Sequence, residues 1–315
     1  MILAADIGGT RARVALFEES GPLRPRRLRV FSSREFTGLL PLLRRYLAQT
    51  GESPRLASLA LAGPVLGRKV HLTNLGWRVE ASALEKGLGL ERVFLLNDLE
   101  ALAYALPALS SSQVEILKPG RPRGRVCAVV APGTGLGEAI LIRASQGPLV
   151  LPTEGGHAEF PPQTEEEWAL FRHLRERYGH VSLERVISGP GLTSVGAFFS
   201  GRESPPEDIV SRAREGDPAA EKAVRLVARA LGREAGSLAV KTLALGGVYL
   251  AGGLAPALKP WFAEEFLPAF LDKGRLRSFL EKIPVKLVRH PYAALLGAAR
   301  YARLSMRISR SVSDK

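Results

Sequence analysis

Apolar positions along the chain fall into two similar blocks. Ile2 to Phe17 reads Ile-Leu-Ala-Ala-Asp-Ile-Gly-Gly-Thr-Arg-Ala-Arg-Val-Ala-Leu-Phe, and Val126 to Ile142 reads Val-Cys-Ala-Val-Val-Ala-Pro-Gly-Thr-Gly-Leu-Gly-Glu-Ala-Ile-Leu-Ile. Each is an apolar run, a Gly/Thr break and a second apolar run, the pattern of a β-hairpin with a tight glycine turn. In a Walker loop or a dinucleotide fingerprint the glycines lead from a strand into a helix, which neither block does. Two such hairpins far apart in sequence predict a duplicated domain with a cleft between the copies.

Between them, the spacing of Leu39, Leu40, Leu43 and Leu47 predicts a helix over Glu35 to Thr50. Leu56 to Ala62 and Val65 to Leu72 read as strands, Ser82 to Leu88 as a short helix, Arg92 to Leu96 as a buried strand and Leu99 to Leu106 as a helix. The second half carries longer helices. Thr164 and Glu167 make a capping box, so the run Glu165 to Glu167 reads as a helix start rather than a metal site. Asp217-Pro218 opens a helix with Val224, Val227, Leu231, Ala235 and Leu238 on one face, and Gly246-Gly247 is expected to close it. Val248 to Ala251 reads as a strand running into Gly252-Gly253, and Pro291 to Met306 as a final helix. This alternation argues an α/β fold. Lys118 to Arg123 is the one Pro-rich candidate boundary.

With 315 residues, 46% of them hydrophobic, the chain has the length for two domains with separate cores and too much apolar content for a disordered protein. Cys127 is the single cysteine, which excludes an internal disulfide framework and a thiolate zinc site. No apolar run approaches the ~18 residues of a membrane helix. Ile2 to Ala5 is too short for a secretory signal, so a cytoplasmic protein is expected. The net charge of +13 arises from 44 Lys and Arg against 31 acids. Those cations are scattered, and the densest cluster, Arg24 to Arg29, has no interleaved aromatic. A solvated surface is favoured over a nucleic-acid site. Neither a nucleic-acid nor a membrane partner is expected.

Amide usage adds a sharper signal, because the only two asparagines are Asn74 and Asn97. A turn role suits Asn74. Asn97 follows an apolar strand and precedes Asp98, at the strand end where open α/β sheets place ligands. A carboxylate there can take a hydroxyl proton while the amide fixes a neighbouring hydroxyl; a helix N-cap explains Asp98 equally well. Glu154-Gly155-Gly156-His157 sets a carboxylate and an imidazole around two glycines that let backbone approach a ligand. His157 lacks a second His or a Cys at ligand spacing, so no metal is assigned to it. Glu184 is a further candidate carboxylate, with an ion pair to Arg185 or another surface Arg as its plain alternative. Gly8-Gly9-Thr10 and Gly133-Thr134-Gly135 can aim backbone N–H groups at phosphates, and Asp6 can hold a Mg²⁺-bound water.

The ordered set carries a resemblance. Asp6-Ile7-Gly8-Gly9-Thr10, Leu72-Thr73-Asn74-Leu75-Gly76-Trp77, Leu96-Asn97-Asp98, Gly133-Thr134-Gly135-Leu136-Gly137, Glu154-Gly155-Gly156-His157, Glu184-Arg185-Val186-Ile187-Ser188-Gly189-Pro190-Gly191 and Ala251-Gly252-Gly253 stand in the order seen in bacterial glucokinases. The chain resembles the group without the zinc motif, within the hexokinase–actin–chaperone ATPase superfamily, over nearly its whole length. The resemblance implies a two-domain, duplicated ribonuclease-H-like (actin-like ATPase) fold. Residues 1–108 with 294–315 would form the small domain and 109–293 the large one. It implies ATP- and Mg²⁺-dependent phosphorylation of the glucose 6-hydroxyl. Asp98 would be the base, and Asn97, Asp98, Glu154, His157 and Glu184 would hold the sugar. Asp6, Gly8, Gly9, Thr10, Gly133, Thr134, Gly135, Gly252 and Gly253 would face the nucleotide. A homodimer is implied as well.

Two departures bear on the nucleotide side. Arg11 stands where many relatives carry Asn, and Pro132 removes a backbone donor before Gly133. A kinase for mannose or an N-acetylhexosamine, or one using polyphosphate, is the near alternative. A sugar-responsive transcription regulator is the distant one. The chain opens on its first strand, which is expected to leave no helix-turn-helix, and it lacks the Cys cluster of that branch.

Overall fold

The computed structural model describes residues 1–145 and 147–313. The first strands are β1 (Ile2–Ile7), β2 (Arg11–Phe17) and β3 (Arg26–Ser32), followed by helix α1 (Leu39–Thr50). Next come β4 (Leu56–Leu61), β5 (Val65–Leu66), β6 (Lys69–Leu72), β7 (Trp77–Glu80), α2 (Ala81–Leu88), β8 (Arg92–Asn97) and α3 (Asp98–Ala105). The middle of the chain forms β9 (Val114–Lys118), β10 (Val126–Pro132), β11 (Leu136–Ala144) and β12 (Gly147–Thr153). Helices α4 (Glu165–Tyr178), α5 (Gly189–Ser200), α6 (Pro206–Arg214) and α7 (Pro218–Thr242) precede β13 (Val248–Leu250). The chain closes with α8 (Leu254–Leu258), α9 (Leu267–Leu271), α10 (Arg277–Glu281), β14 (Val285–Val288) and α11 (Ala293–Ser313).

These elements form two compact units, one of Met1–Ser110, Ala144–Pro152 and His290–Lys315, the other of Ser111–Arg143 and Thr153–Arg289. Positions 314 and 315 of the segment expected in the small domain lie outside the described residues.

In the first unit the sheet order is β3-β2-β1-β4-β8. β1 and β2 form the antiparallel hairpin expected from the glycine break, and β1–β4 and β4–β8 pair in parallel. Every residue of β4 is buried, as a parallel strand covered on both faces requires. Helix α1 covers the sheet with Leu39, Leu42, Leu43 and Tyr46, while the expected Leu40 and Leu47 flank that stripe. It starts at Leu39 rather than at Glu35, because residues Ser33–Glu35 form a separate 3₁₀ turn. α11 packs on α3 so closely that a Cβ on Gly297 would collide with the Ala101 carbonyl. The expected strand Val65 to Leu72 is a hairpin instead. Gly67, at φ +65°, turns the chain between β5 and β6, and β7 completes a three-stranded sheet.

In the second unit five strands run β11-β10-β13-β14-β9. β10 and β11 form the second predicted hairpin, followed by parallel β13 and β14. A hairpin followed by two parallel strands repeats β2-β1-β4-β8, the duplication of the ribonuclease-H-like, actin-like ATPase fold. The long helix α7 buries Val224, Val227, Leu231, Ala235 and Leu238, and Asp217 caps it by accepting the Ala219 and Ala220 N–H groups. It ends before the glycines expected to close it, with Leu243 in the left-handed region at φ +50°. Gly246 is needed elsewhere: its N–H donates to Val126 O at 2.7 Å, and a Cβ there would strike Cys127 Sγ. Thr164 caps α4 as expected, accepting the Glu167 N–H at 3.2 Å. The return bond reaches Gln163 N–H rather than Thr164, and the fully buried Glu167 pairs with Arg233 of α7. Lys118 to Arg123 is no linker: Arg121 N–H donates to Lys282 O at 3.0 Å and Arg123 N–H to Leu245 O at 2.8 Å. Among the described residues no helix is long and apolar enough to cross a membrane.

Candidate active site

β8 ends at Asn97, and α3 begins at Asp98. Asn97, not Asp98, is the helix cap. Its Oδ1 accepts the Leu99 N–H at 2.9 Å and the Glu100 N–H at 3.3 Å, and Glu100 Oε2 accepts the Asn97 N–H at 3.4 Å. That reciprocal box fixes the strand-to-helix corner. Asn97 Nδ2 donates to Gly63 O at 3.3 Å, which ties the corner to the loop after β4. Asp98 is thereby released from capping, although its Oδ1 still accepts the Leu99 N–H at 2.9 Å. Burial raises its carboxyl to about 6, the negative charge of Asp6 adds to the rise, and the backbone bond opposes it. A carboxylate with that affinity is ionised at neutral pH yet basic enough to take a hydroxyl proton in a transition state.

Asp6 sits on β1 directly across from Arg13 on β2, and Arg13 Nη1 donates to Asp6 Oδ2 at 2.9 Å. Burial raises the Asp6 carboxyl and the Arg13 charge opposes that rise. The hairpin tip is closed by the Gly8 N–H donating to Arg11 O at 3.0 Å, so this amide is committed inside the turn. Gly9 and Thr10 form the tip, and Gly9 packs against the Asn74 side chain from the turn between β6 and β7. Asn74 is therefore a turn residue beside the first glycine motif. Arg11 contributes its carbonyl to the hairpin and exposes its side chain.

In the second unit the Gly133-Thr134-Gly135 turn joins β10 to β11. Gly133 N–H donates to Gly135 O at 2.8 Å, and Gly133 O accepts the Gly189 N–H at 2.7 Å from the start of α5. Glu184 is bound to this same turn. Its Oε2 accepts the Leu136 N–H at 2.9 Å, where the plain alternative was an ion pair with Arg185 or another surface Arg. Arg185 instead lies over the Tyr178 ring, 4.1 Å from its centroid. Glu154 and His157 bracket the 3₁₀ turn Gly155–His157, with His157 Nε2 3.8 Å from Glu154 Oε2 and both side chains exposed. Gly252, at φ +78°, lies against the Pro132 carbonyl where a side chain would collide.

A cavity of about 1060 Å³ opens beside these turns, lined by Gly133, Thr134, Gly189 and Gly253 and, among its apolar residues, by Val210 and Leu254. That is slightly above the roughly 300–1,000 Å³ of small-molecule sites. The N-terminus of α5 also lines the cavity, with its first N–H groups committed inside the protein: Gly189 donates to Gly133 O, Gly191 donates to Ser188 Oγ at 2.9 Å, and Pro190 has no N–H. The structure thus gathers Gly133, Thr134 and Gly253 on one cavity, and holds Gly135 against Glu184. It keeps Asn97, Asp98, Asp6, Gly8, Gly9 and Thr10 in the first unit. The motifs omit the apolar walls. Val210 and Leu254 come from α6 and α8, and of the lining residues only Gly133, Thr134, Gly189, Pro190 and Gly253 belonged to a sequence signature.

Among the described residues no group of three or more His, Cys, Asp or Glu could hold a metal ion. One buried carboxylate, Asp6, with one oxygen on Arg13 fits a Mg²⁺ ion that arrives on phosphates and keeps its waters. It does not fit a cation caged by protein.

Comparison with known proteins identifies the family. The family profile described as Glucokinase matches residues 3–305. A glucokinase of Tolumonas auensis is 38% identical over 312 residues, covering 96% of this chain and 97% of that protein. A Bifunctional protein glk of Burkholderia thailandensis is 39% identical over 94% of this chain, which spans only 48% of that longer protein. Among solved structures, the glucokinase from an Antarctic psychrotroph superposes with a TM-score of 0.85 at 34% identity, covering 95% of this chain and 98% of that one.

Proposed function

The chain belongs to the glucokinase family, and from that premise we propose that it transfers the γ-phosphoryl group of ATP to the 6-hydroxyl of glucose. Asp98 is the general base. As the 6-oxygen bonds to the γ-phosphorus, the Asp98 carboxylate takes the hydroxyl proton, the bond to the β,γ-bridging oxygen breaks, and ADP leaves with that electron pair. Phosphoryl transfer asks the protein for positioning and charge neutralisation more than for covalent chemistry. The observation that carries the reading is Asp98 itself: a carboxyl raised to about 6, set on a capped strand-to-helix corner.

Asn97 turns its remaining amide hydrogen to a sugar hydroxyl, since its oxygen caps α3. Glu154, His157 and Glu184 accept and donate to the other hydroxyls. Gly9 and Thr10 at one hairpin tip, with Gly8 shaping it, and Gly133, Thr134 and Gly135 at the other, line the phosphates. Gly252 and Gly253 border the nucleoside, and the apolar walls at Val210 and Leu254 receive the purine. Asp6 holds a water of the Mg²⁺ ion, which when bound neutralises phosphate charge. In this reading residues 1–108 with 294–315 are the small domain and 109–293 the large one. The resemblance also supports a cytoplasmic location and a homodimer, and light scattering on the purified protein checks the dimer.

A coupled assay for ADP release with Mg²⁺-ATP, comparing glucose, mannose, N-acetylglucosamine and no sugar, tests the assignment. Turnover selective for glucose is expected, with glucose 6-phosphate as the product. Faster turnover on another hexose would reassign the substrate, and activity with polyphosphate but not ATP would reassign the donor.

A further inference from the structure

Strand β11 opens with residues that touch every sugar-facing segment of the second unit. The Leu136 N–H holds Glu184 Oε2 at 2.9 Å, and the Leu136 carbonyl fills the space a Cβ on Gly156 would need. Two residues on, the Glu138 carboxyl fills the corresponding space at Gly155. The Glu138 carbonyl accepts the Thr153 hydroxyl at 3.2 Å, and Thr153 Oγ1 in turn accepts the Gly155 N–H at 3.2 Å. The turn bracketed by Glu154 and His157 therefore lies flush on β11, with the Glu138 side chain as its bed.

Glu138 is only 3% exposed, and its Oε1 has no hydrogen-bond partner. From α7 it faces the charges of Glu234 and Lys241, which are 3.6 Å apart and already paired with each other. From the turn it meets the uncharged Gly155, while the Glu154 and His157 side chains point to solvent. Burial, and then the Glu234 charge, raise the Glu138 carboxyl to about 8 against the opposing effect of Lys241. A buried carboxylate with an unpartnered oxygen is strongly disfavoured, whereas the neutral acid packs at far lower cost.

We propose that Glu138 is a positioning residue for sugar binding: as a neutral acid packed on Gly155 it holds the Glu154–His157 turn in place, and its ionisation in alkaline solution loosens that turn. The proposal rests on the reading of Glu154 and His157 as sugar ligands.

The test compares wild type with Glu138→Gln, which keeps the shape and cannot ionise. If only the neutral form binds well, the wild-type glucose KM climbs by up to roughly tenfold per pH unit above about 8. The expected result is that climb with kcat and the ATP KM unchanged, and a flat glucose KM in the variant. An equal alkaline climb in the variant, or a flat wild-type profile, overturns the proposal. Hydrogen exchange of amides 153–158 without sugar gives a second readout. At pH 9.5 the wild-type turn should exchange faster than the variant's, and equal rates there also overturn it. If His157→Ala leaves the glucose KM unchanged, the reading of the site fails separately, and the exchange comparison still decides the role of Glu138.

Discussion

Asp98 titrates under the influence of Asp6. Burial is the larger cause of its raised carboxyl, and the Asp6 charge lifts it further, to about 6. A base works in its ionised form, so glucose kcat/KM should be level between that value and about pH 8 and fall as pH drops through about 6. Asp6→Asn removes one of the two causes and should move the acid limb to lower pH, even where it also slows turnover. A pH series from 5 to 8 on both proteins checks the direction.

The corner that presents Asp98 is built by Asn97. Asn97→Ala removes the oxygen that accepts the Leu99 and Glu100 N–H groups, and loss of such a cap costs about 0.5–2 kcal/mol. Asn97→Asp preserves the acceptor and loses the amide donor. Chemical denaturation should therefore find the alanine variant destabilised and the aspartate variant near wild type, while both show a raised glucose KM.

Gly297 sets how closely α11 approaches the helix of the base. Alanine is the better helix former by about 1 kcal/mol. Its Cβ would however collide with the Ala101 carbonyl, and overpacking of this kind costs about 1–3 kcal/mol. The collision outweighs the propensity. Gly297→Ala should lower the unfolding midpoint and, by displacing α3, lower kcat as well; a stabilised variant with unchanged kcat would contradict this packing argument.

His157 and Glu184 should separate in steady-state kinetics. His157 is exposed, with Glu154 Oε2 3.8 Å from its Nε2, so His157→Ala should raise the glucose KM more than it lowers kcat. Glu184 also holds the Leu136 N–H next to the Gly133–Gly135 turn. Glu184→Ala should raise the KM of both glucose and ATP. The pair of variants, assayed with each substrate varied in turn, distinguishes a sugar ligand from one that also fixes the nucleotide turn.

Much of this was legible from the sequence where local rules act alone. Both hairpins followed from apolar runs broken by Gly and Thr, and α7 from Asp217-Pro218 with its buried stripe. The rest depended on tertiary choices. A leucine in the left-handed region at position 243 is not foreseen by propensity, because Gly246 was the obvious stop and is held instead by Val126 and Cys127. The Val65 to Leu72 segment reads as one strand only if Gly67-Arg68 is passed over, and there Gly67 folds it back. Asn97 and Asp98 were visible as a pair, but which one caps α3 depends on side-chain geometry. The apolar cavity walls come from elements distant in sequence, so no motif records them.

The central claim is that Asp98 takes the proton of the sugar hydroxyl, and Asp98→Asn tests it most directly. Calorimetric glucose binding and turnover should be measured on the same preparation. The account predicts glucose affinity close to wild type with turnover lower by about 10²–10⁴-fold, the usual effect of losing a general base. Near-normal turnover in that variant would contradict it.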